Sequence, residues 1–214
     1  MSELRYDDRV IVITGAGRGL GRAYAELLGA RGARVMVNDP GSAVRGEGID
    51  AGPAAEVVAA IQAQGGDAIV STDSVATPEG GRAIIEAALD HYGRIDGLIH
   101  NAGNVRYGSM QALSQEDFDA VLDVHLRGAF HVARAAFPHM CKARYGRIIL
   151  TSSIGGLYGN RDCVNYGMSK SGMIGLNNVL ALEGEAEGVK SNIIVPGAVT
   201  RMAEGLDISQ YPPM

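Results

Sequence analysis

Short apolar runs alternating with longer amphipathic stretches predict an α/β fold, a doubly wound, mostly parallel sheet with helices on both faces. Two further observations agree. A Gly-rich turn, Thr14-Gly-Ala-Gly-Arg-Gly-Leu-Gly21, separates the first apolar run from the first helical stretch, and an acid, Asp39, closes the second apolar run.

The spacing predicts strands over 10–14, 34–38, 68–71, 97–100, 147–151 and 191–195, each close to continuously apolar, as strands buried on both faces are. Helices are predicted over 19–30, 53–64, 78–92, 115–140 and 164–187. Pro53 and Pro78 suit first-turn positions, where their missing N–H costs nothing. Ser114 with Asp117 reads as a helix start, and Gly65-Gly66 and Gly93 sit where helices should stop. Right-handed crossovers then distribute the helices over both faces of the sheet. The stretch 40–53, rich in Gly and polar residues, reads as an extended surface loop. No repeat or linker divides the 214 residues, so 1–214 is predicted to be one domain.

Composition removes several classes of function. Hydrophobic residues at 46% and charged residues at 20% exclude disorder as the main state. A net charge of -5 argues against nucleic acid or an anionic membrane as partner, because both demand clustered Lys and Arg. No apolar run is long enough for a membrane span. The two cysteines, Cys141 and Cys163, fit neither a zinc pattern nor a disulfide framework, which points to a reducing cytoplasm. His125, His131 and His139 lack metal-ligand spacing on one helix face, so no metal is expected.

The Gly-rich turn opens a helix whose N-terminal N–H groups and positive dipole end suit a pyrophosphate. Gly15, Arg18, Gly19 and Leu20 would line that site. Asp39 can accept hydrogen bonds from ribose hydroxyls and would repel a 2′-phosphate, which favours NAD over NADP. Arg18 pulls the other way, since a guanidinium there could meet that phosphate. The direct penalty from a carboxylate is the stronger effect.

Tyr166 and Lys170 stand i,i+4, one turn apart on one helix face. An ordinary tyrosine, with a pKa near 10, is a poor base at neutral pH, and a neighbouring ammonium favours its phenolate. Lys170 could also hydrogen-bond the nicotinamide ribose. Ser153, at the end of the fifth strand, could hold a substrate oxygen, with Ser152 as the competing candidate and a turn-capping role as the alternative reading. The reading is hydride transfer between a nicotinamide and a carbinol or ketone carbon of a small-molecule substrate.

Taken in order, Thr14-Gly-x-x-x-Gly-x-Gly21, Asn101-Ala-Gly103, Ser153, Tyr166-x-x-x-Lys170 and Pro196-Gly197 resemble the short-chain dehydrogenase/reductases, from about Val10 to Met202. The resemblance implies a Rossmann-like fold, Tyr166 as general acid/base, Ser153 orienting substrate and Lys170 acting on tyrosine and ribose. It further implies that Asn101 lies beside the adenine-ribose side of the cofactor, that Asp73 and Ser74 contact adenine, that Val199 and Thr200 reach the nicotinamide carboxamide, and that the protein forms a homodimer or homotetramer. Where most of the family has an Asn holding a relay water, this chain has His125, read either as a subgroup mark or as a core histidine. The family usually continues into a seventh strand and a C-terminal segment. The expectation is therefore a C-terminally truncated domain with its sixth strand exposed as a sheet edge.

Val37-Asn-Asp-Pro-Gly41, Val124-His-Leu-Arg-Gly128, the run from Tyr145 to Ser153 and Gly156-Leu-Tyr-Gly-Asn160 are similar to the (3R)-hydroxyacyl-CoA dehydrogenase unit of peroxisomal multifunctional β-oxidation enzymes. That likeness implies an acyl-CoA substrate. The alternatives are a steroid, sugar or other free alcohol as substrate, or a non-catalytic dinucleotide-binding regulator.

Overall fold

A computed structural model describes residues 4–196. The elements alternate from β1 (Val10–Thr14) through α1 (Gly19–Ala30), β2 (Arg34–Asn38), α2 (Gly52–Ala63), β3 (Asp67–Ser71), α3 (Pro78–Tyr92) and β4 (Gly97–His100). They continue through α4 (Gln115–Leu122), a π-helical turn (Asp123–Arg127), α5 (Gly128–Lys142), β5 (Gly146–Thr151), α6 (Ile154–Tyr158), α7 (Val164–Glu185) and β6 (Val189–Ile194). The strands form one parallel sheet in the order β3-β2-β1-β4-β5-β6. This is the Rossmann-like arrangement, and its strand order reverses between β1 and β4, where an open α/β sheet leaves a crevice beyond its carboxyl ends.

Alternation along the strands supplies two cores. Val12, Met36, Leu98, Ile148 and Leu150 pack on one face against Ile84 and Ile85 of α3, Ala133 of α5 and Met173 of α7. Ile11, Ile13, Val35 and Val37 pack on the other against Ala25 of α1 and Val57 and Ile61 of α2. Among the described residues, no helix is long and apolar enough to cross a membrane.

The helix signals behave as their chemistry dictates. Thr77 accepts a hydrogen bond from Gly80 N at the start of α3, Ser114 accepts one from Asp117 N at the start of α4, and Gly93 ends α3 with φ 76°. Three expectations are corrected. The single helix over 115–140 is two helices joined by the π-turn, whose longer hydrogen-bonded loop leaves the apolar periodicity intact. Helix α6 was not foreseen, because Gly155-Gly156 reads as loop; it forms because Ser153 caps it, accepting from Gly155 N at 3.1 Å. Strands β3, β5 and β6 begin slightly earlier than their apolar runs, since backbone pairing such as Asp67 with Arg34 and Gly146 with Val189 extends past the buried residues.

The β2–α2 loop is not a free surface loop. Val105 N donates to Val44 O at 3.1 Å and Arg106 Nε to Arg45 O at 3.0 Å, so the loop reaches the segment that follows β4. Since β1 lies between β2 and β4, the loop arches past the end of β1 as a strap.

Candidate active site

The Gly-rich turn is held shut by its neighbours across the switch point. Thr14 Oγ1 accepts from Asn101 N and Ala102 N, both at 3.2 Å, and Asn101 Nδ2 donates to Gly15 O at 3.1 Å. Gly15 has φ +64°, and a Cβ there would lie 2.7 Å from Ala102 Cα; a Cβ on Gly21 would lie 2.1 Å from Gly15 O. Only glycine fits either place. Arg18 precedes α1 without a side-chain cap, which leaves the first-turn N–H groups and dipole of α1 facing the crevice.

Asp39 closes β2 and is 8% exposed. Its Oδ2 accepts from Gly17 N at 2.8 Å and its Oδ1 from Gly41 N at 2.7 Å. These bonds fasten the carboxylate to the Gly-rich turn, and each oxygen keeps a further lone pair for a ribose hydroxyl. Arg18 Nη1 donates to Ser42 O at 3.4 Å, which draws its guanidinium toward the strap. Asp73 and Ser74 are exposed beyond the end of β3; Asp73 Oδ2 accepts from Ser71 Oγ at 3.2 Å, and Ser74 Oγ accepts from Ala76 N. Leu20 is half-buried in the first turn of α1. A Cβ-free cradle, a helix N-terminus and a ribose-accepting carboxylate together fit a dinucleotide. Val199 and Thr200 lie outside the described residues.

The second group of residues gathers at the ends of β4 and β5. Tyr166 stands in the first turn of α7, where its backbone N donates to Asn165 Oδ1 at 2.8 Å. Asn165 is fully buried, and its Nδ2 donates to Arg106 O and Asp117 O at 2.9 and 3.1 Å, pinning the helix start that bears the tyrosine. Lys170, 3% exposed, donates from Nζ to Thr151 O at 2.6 Å, and Nζ lies 5.5 Å from the Tyr166 ring centroid. Burial pushes Lys170 down to about 7. The sequence spacing thus places amine and phenol together as expected.

The two serines separate by the alternation of an extended chain. Ser152 is buried and donates to Lys170 O at 2.8 Å, so its hydroxyl faces α7. Ser153 is half-buried beside the cleft: a Cβ added to Gly155 would lie 3.6 Å from both Ser153 Oγ and Tyr166 Cε1. Ser153 is therefore the hydroxyl that shares a wall with the phenol.

His125 occupies the π-turn, fully buried, its ring edge-on to Tyr166 at 5.3 Å. Nε2 lies 2.8 Å from Asn104 O and 3.1 Å from Asn104 N, which ties the ring to the Asn104 backbone. Desolvation, with Lys170 adding to it, holds His125 well below the ordinary histidine pKa, so the ring is neutral. His131 Nδ1 instead bonds Val75 O. Among the described residues, no group of three or more His, Cys, Asp or Glu side chains could hold a metal ion. Thr14, His100, Asn104 and Asn165 are the parts of this site that sequence reasoning missed as functional candidates. A histidine ending an apolar strand at the ligand-binding edge was the one visible signal among them.

A switch-point crevice lined by glycine, opposite a half-buried tyrosine and a buried lysine, fits a nicotinamide-dependent oxidoreductase. The chain belongs to the short chain dehydrogenase family, which matches residues 9–209. It is 49% identical over 199 residues to a Mycobacterium tuberculosis protein whose name places it with the short-chain type dehydrogenase/reductases, covering 93% of this chain and 70% of that one. It is 48% identical over 203 residues to mouse peroxisomal multifunctional enzyme type 2, covering 95% of this chain but only 27% of the mouse enzyme's length. A crystal structure of a short chain dehydrogenase from Mycobacterium avium superposes with a TM-score of 0.83 at 41% identity, covering 92% of this chain and 70% of that one. Membership makes the protein an NAD(P)-dependent oxidoreductase of CH–OH groups in small molecules.

Proposed function

We propose that this chain oxidises the secondary hydroxyl of a (3R)-3-hydroxyacyl-CoA to the ketone with NAD, Tyr166 taking the hydroxyl proton. The nicotinamide, when bound, supplies the hydride acceptor. Gly15, Arg18, Gly19, Leu20, Asp39, Asp73, Ser74 and Asn101 would hold its dinucleotide, together with Val199. Ser153 donates to the substrate oxygen and fixes it beside the phenol.

The observation that carries this reading is the Lys170 amine, buried at the end of β5 and facing the Tyr166 ring. An ammonium in such a place is costly alone, and a phenolate beside it is its natural counter-ion, so each charge favours the other. Tyr166 is thereby equipped as a proton acceptor near neutral pH. NAD is favoured because a 2′-phosphate would meet the Asp39 carboxylate, already held in place by Gly17 and Gly41. The likeness to the multifunctional peroxisomal enzymes supports the acyl-CoA substrate. Exposed apolar side chains on α5 and α7, namely Phe130, Val179 and Leu182, support a homodimer or homotetramer.

The test follows reduced-cofactor absorbance with NAD and NADP against (3R)- and (3S)-3-hydroxyacyl-CoAs, sterols, sugars and simple secondary alcohols. The expected result is turnover with the (3R) thioester and NAD, lost in Tyr166→Phe with NAD binding retained. Faster turnover of a free alcohol would overturn the substrate. Substantial activity in the Phe variant would overturn the role of Tyr166.

A further inference from the structure

The ring that packs edge-on against Tyr166 belongs to the π-turn, and the turn is held by a side chain with no part in the chemistry above. His100 ends β4, is fully buried, and uses both ring nitrogens. Nε2 lies 3.1 Å from His125 O, and Nδ1 lies 3.0 Å from Thr14 Oγ1.

The directions of these bonds are fixed by chemistry. A carbonyl only accepts, so Nε2 bears the proton. Desolvation drives His100 down to about 3, so the ring is neutral and Nδ1 offers a lone pair. Thr14 must then donate its hydroxyl proton to Nδ1 while its oxygen accepts from Asn101 N and Ala102 N. The hydroxyl's one donor and two acceptor capacities are thus all filled. A directed chain runs from the Asn101–Ala102 turn through Thr14 and His100 to the carbonyl of His125. It joins the end of β1, where the Gly-rich turn begins, to the π-turn, where the ring beside Tyr166 is mounted.

We propose that His100 is a positioning residue for the Tyr166 chemistry, resting on the function proposed above: it fixes the π-turn through the His125 carbonyl and so sets the His125 ring against the phenol. An imidazole suits the task because it spans two partners at a fixed angle. Asparagine reaches the Nδ1 position alone and glutamine the Nε2 position alone. The two substitutions therefore cut the chain at different links.

In His100→Asn the bond to Thr14 is kept and the bond to the π-turn is lost; in His100→Gln the reverse holds. The expected result is a kcat about ten-fold lower in His100→Asn than in His100→Gln, with KM for NAD alike within about two-fold in the two variants. A role confined to stability would lower Tm in both variants and leave kcat per folded molecule alike. Equal kcat values, or a loss lying wholly in KM for NAD, would overturn the proposal.

Nitrogen-15 NMR of the imidazoles in the protein without cofactor gives a second readout that needs no turnover, and for the His100 tautomer no variant. His100 should show a proton on Nε2 and none on Nδ1, and the His125 ring resonances should move in His100→Asn but not in His100→Gln. A His100 protonated on Nδ1 overturns the proposal. A wild-type protein inactive on every substrate, with the NMR pattern intact, would instead overturn the proposed function.

Discussion

Replacing Lys170 by Met in a Tyr166→Phe background removes one buried amine while keeping an unbranched side chain of similar length and leaving no phenol to titrate alongside. The folded protein holds this amine at about 7, against an ordinary value of 10.5, because burial disfavours the ammonium. Below about 7 both folded and unfolded states are protonated, and the full cost of burying the charge is present. Between about 7 and 10.5 the unfolded chain binds a proton that the folded one lacks, so stability rises with pH. The slope approaches about 1.4 kcal/mol per pH unit in mid-window, or about 2 kcal/mol between pH of roughly 7.5 and 9. The Met variant also deprives Thr151 O of its donor, an offset of about 1–3 kcal/mol that does not depend on pH. Urea unfolding of both proteins across that range, without cofactor, separates the two effects, because only the slope reports the titration. The stability of the Lys170 protein relative to the Met variant should climb with pH. A difference that is flat, or that falls, would refute the account of a buried, depressed amine.

Two further substitutions address the cofactor side. Gly21→Ala places a methyl group against the backbone of Gly15, a contact no rotamer can relieve, and should cost roughly 2–3 kcal/mol together with most NAD affinity; a thermal melt with a fluorescence titration checks both, and unchanged values would contradict the packing. Asp39→Ser should lower the preference for NAD over NADP by about ten-fold or more by removing the carboxylate that opposes a 2′-phosphate. It should also lower Tm, because the N–H groups of Gly17 and Gly41 lose charged acceptors. Steady-state KM values for the two cofactors decide the first point, and an unchanged ratio would remove Asp39 from cofactor choice.

The sheet was legible because its strands are buried on both faces, so each appears as an apolar run with no need of partners to explain it. The Gly-rich turn, Asp39, Ser153, Tyr166 and Lys170 were legible because they are local patterns attached to strand ends and one helix face. The π-turn was not, since a hydrogen bond shifted by one residue leaves the hydrophobic stripe of 115–140 unbroken. Asn165 and Asn104 escaped for a different reason: Asn165 bonds the backbone of Arg106 and Asp117, and Asn104 meets the backbone of Ala120 and the ring of His125, partners no periodicity announces. Ser152 and Ser153 were distinguishable only once the chain direction at the end of β5 showed which hydroxyl α7 claims.

The strap between β2 and α2 has a practical meaning. By composition, 41–50 looks like the safest place in the chain to insert an epitope or accept a protease nick. Its backbone, however, is bonded to Val105 and Arg106, and Arg106 O receives the amide of Asn165, whose own oxygen holds the start of the tyrosine helix. A lesion in this tether is therefore transmitted, bond by bond, to the far end of the cleft, and a tag placed there would handicap the enzyme it was meant to label.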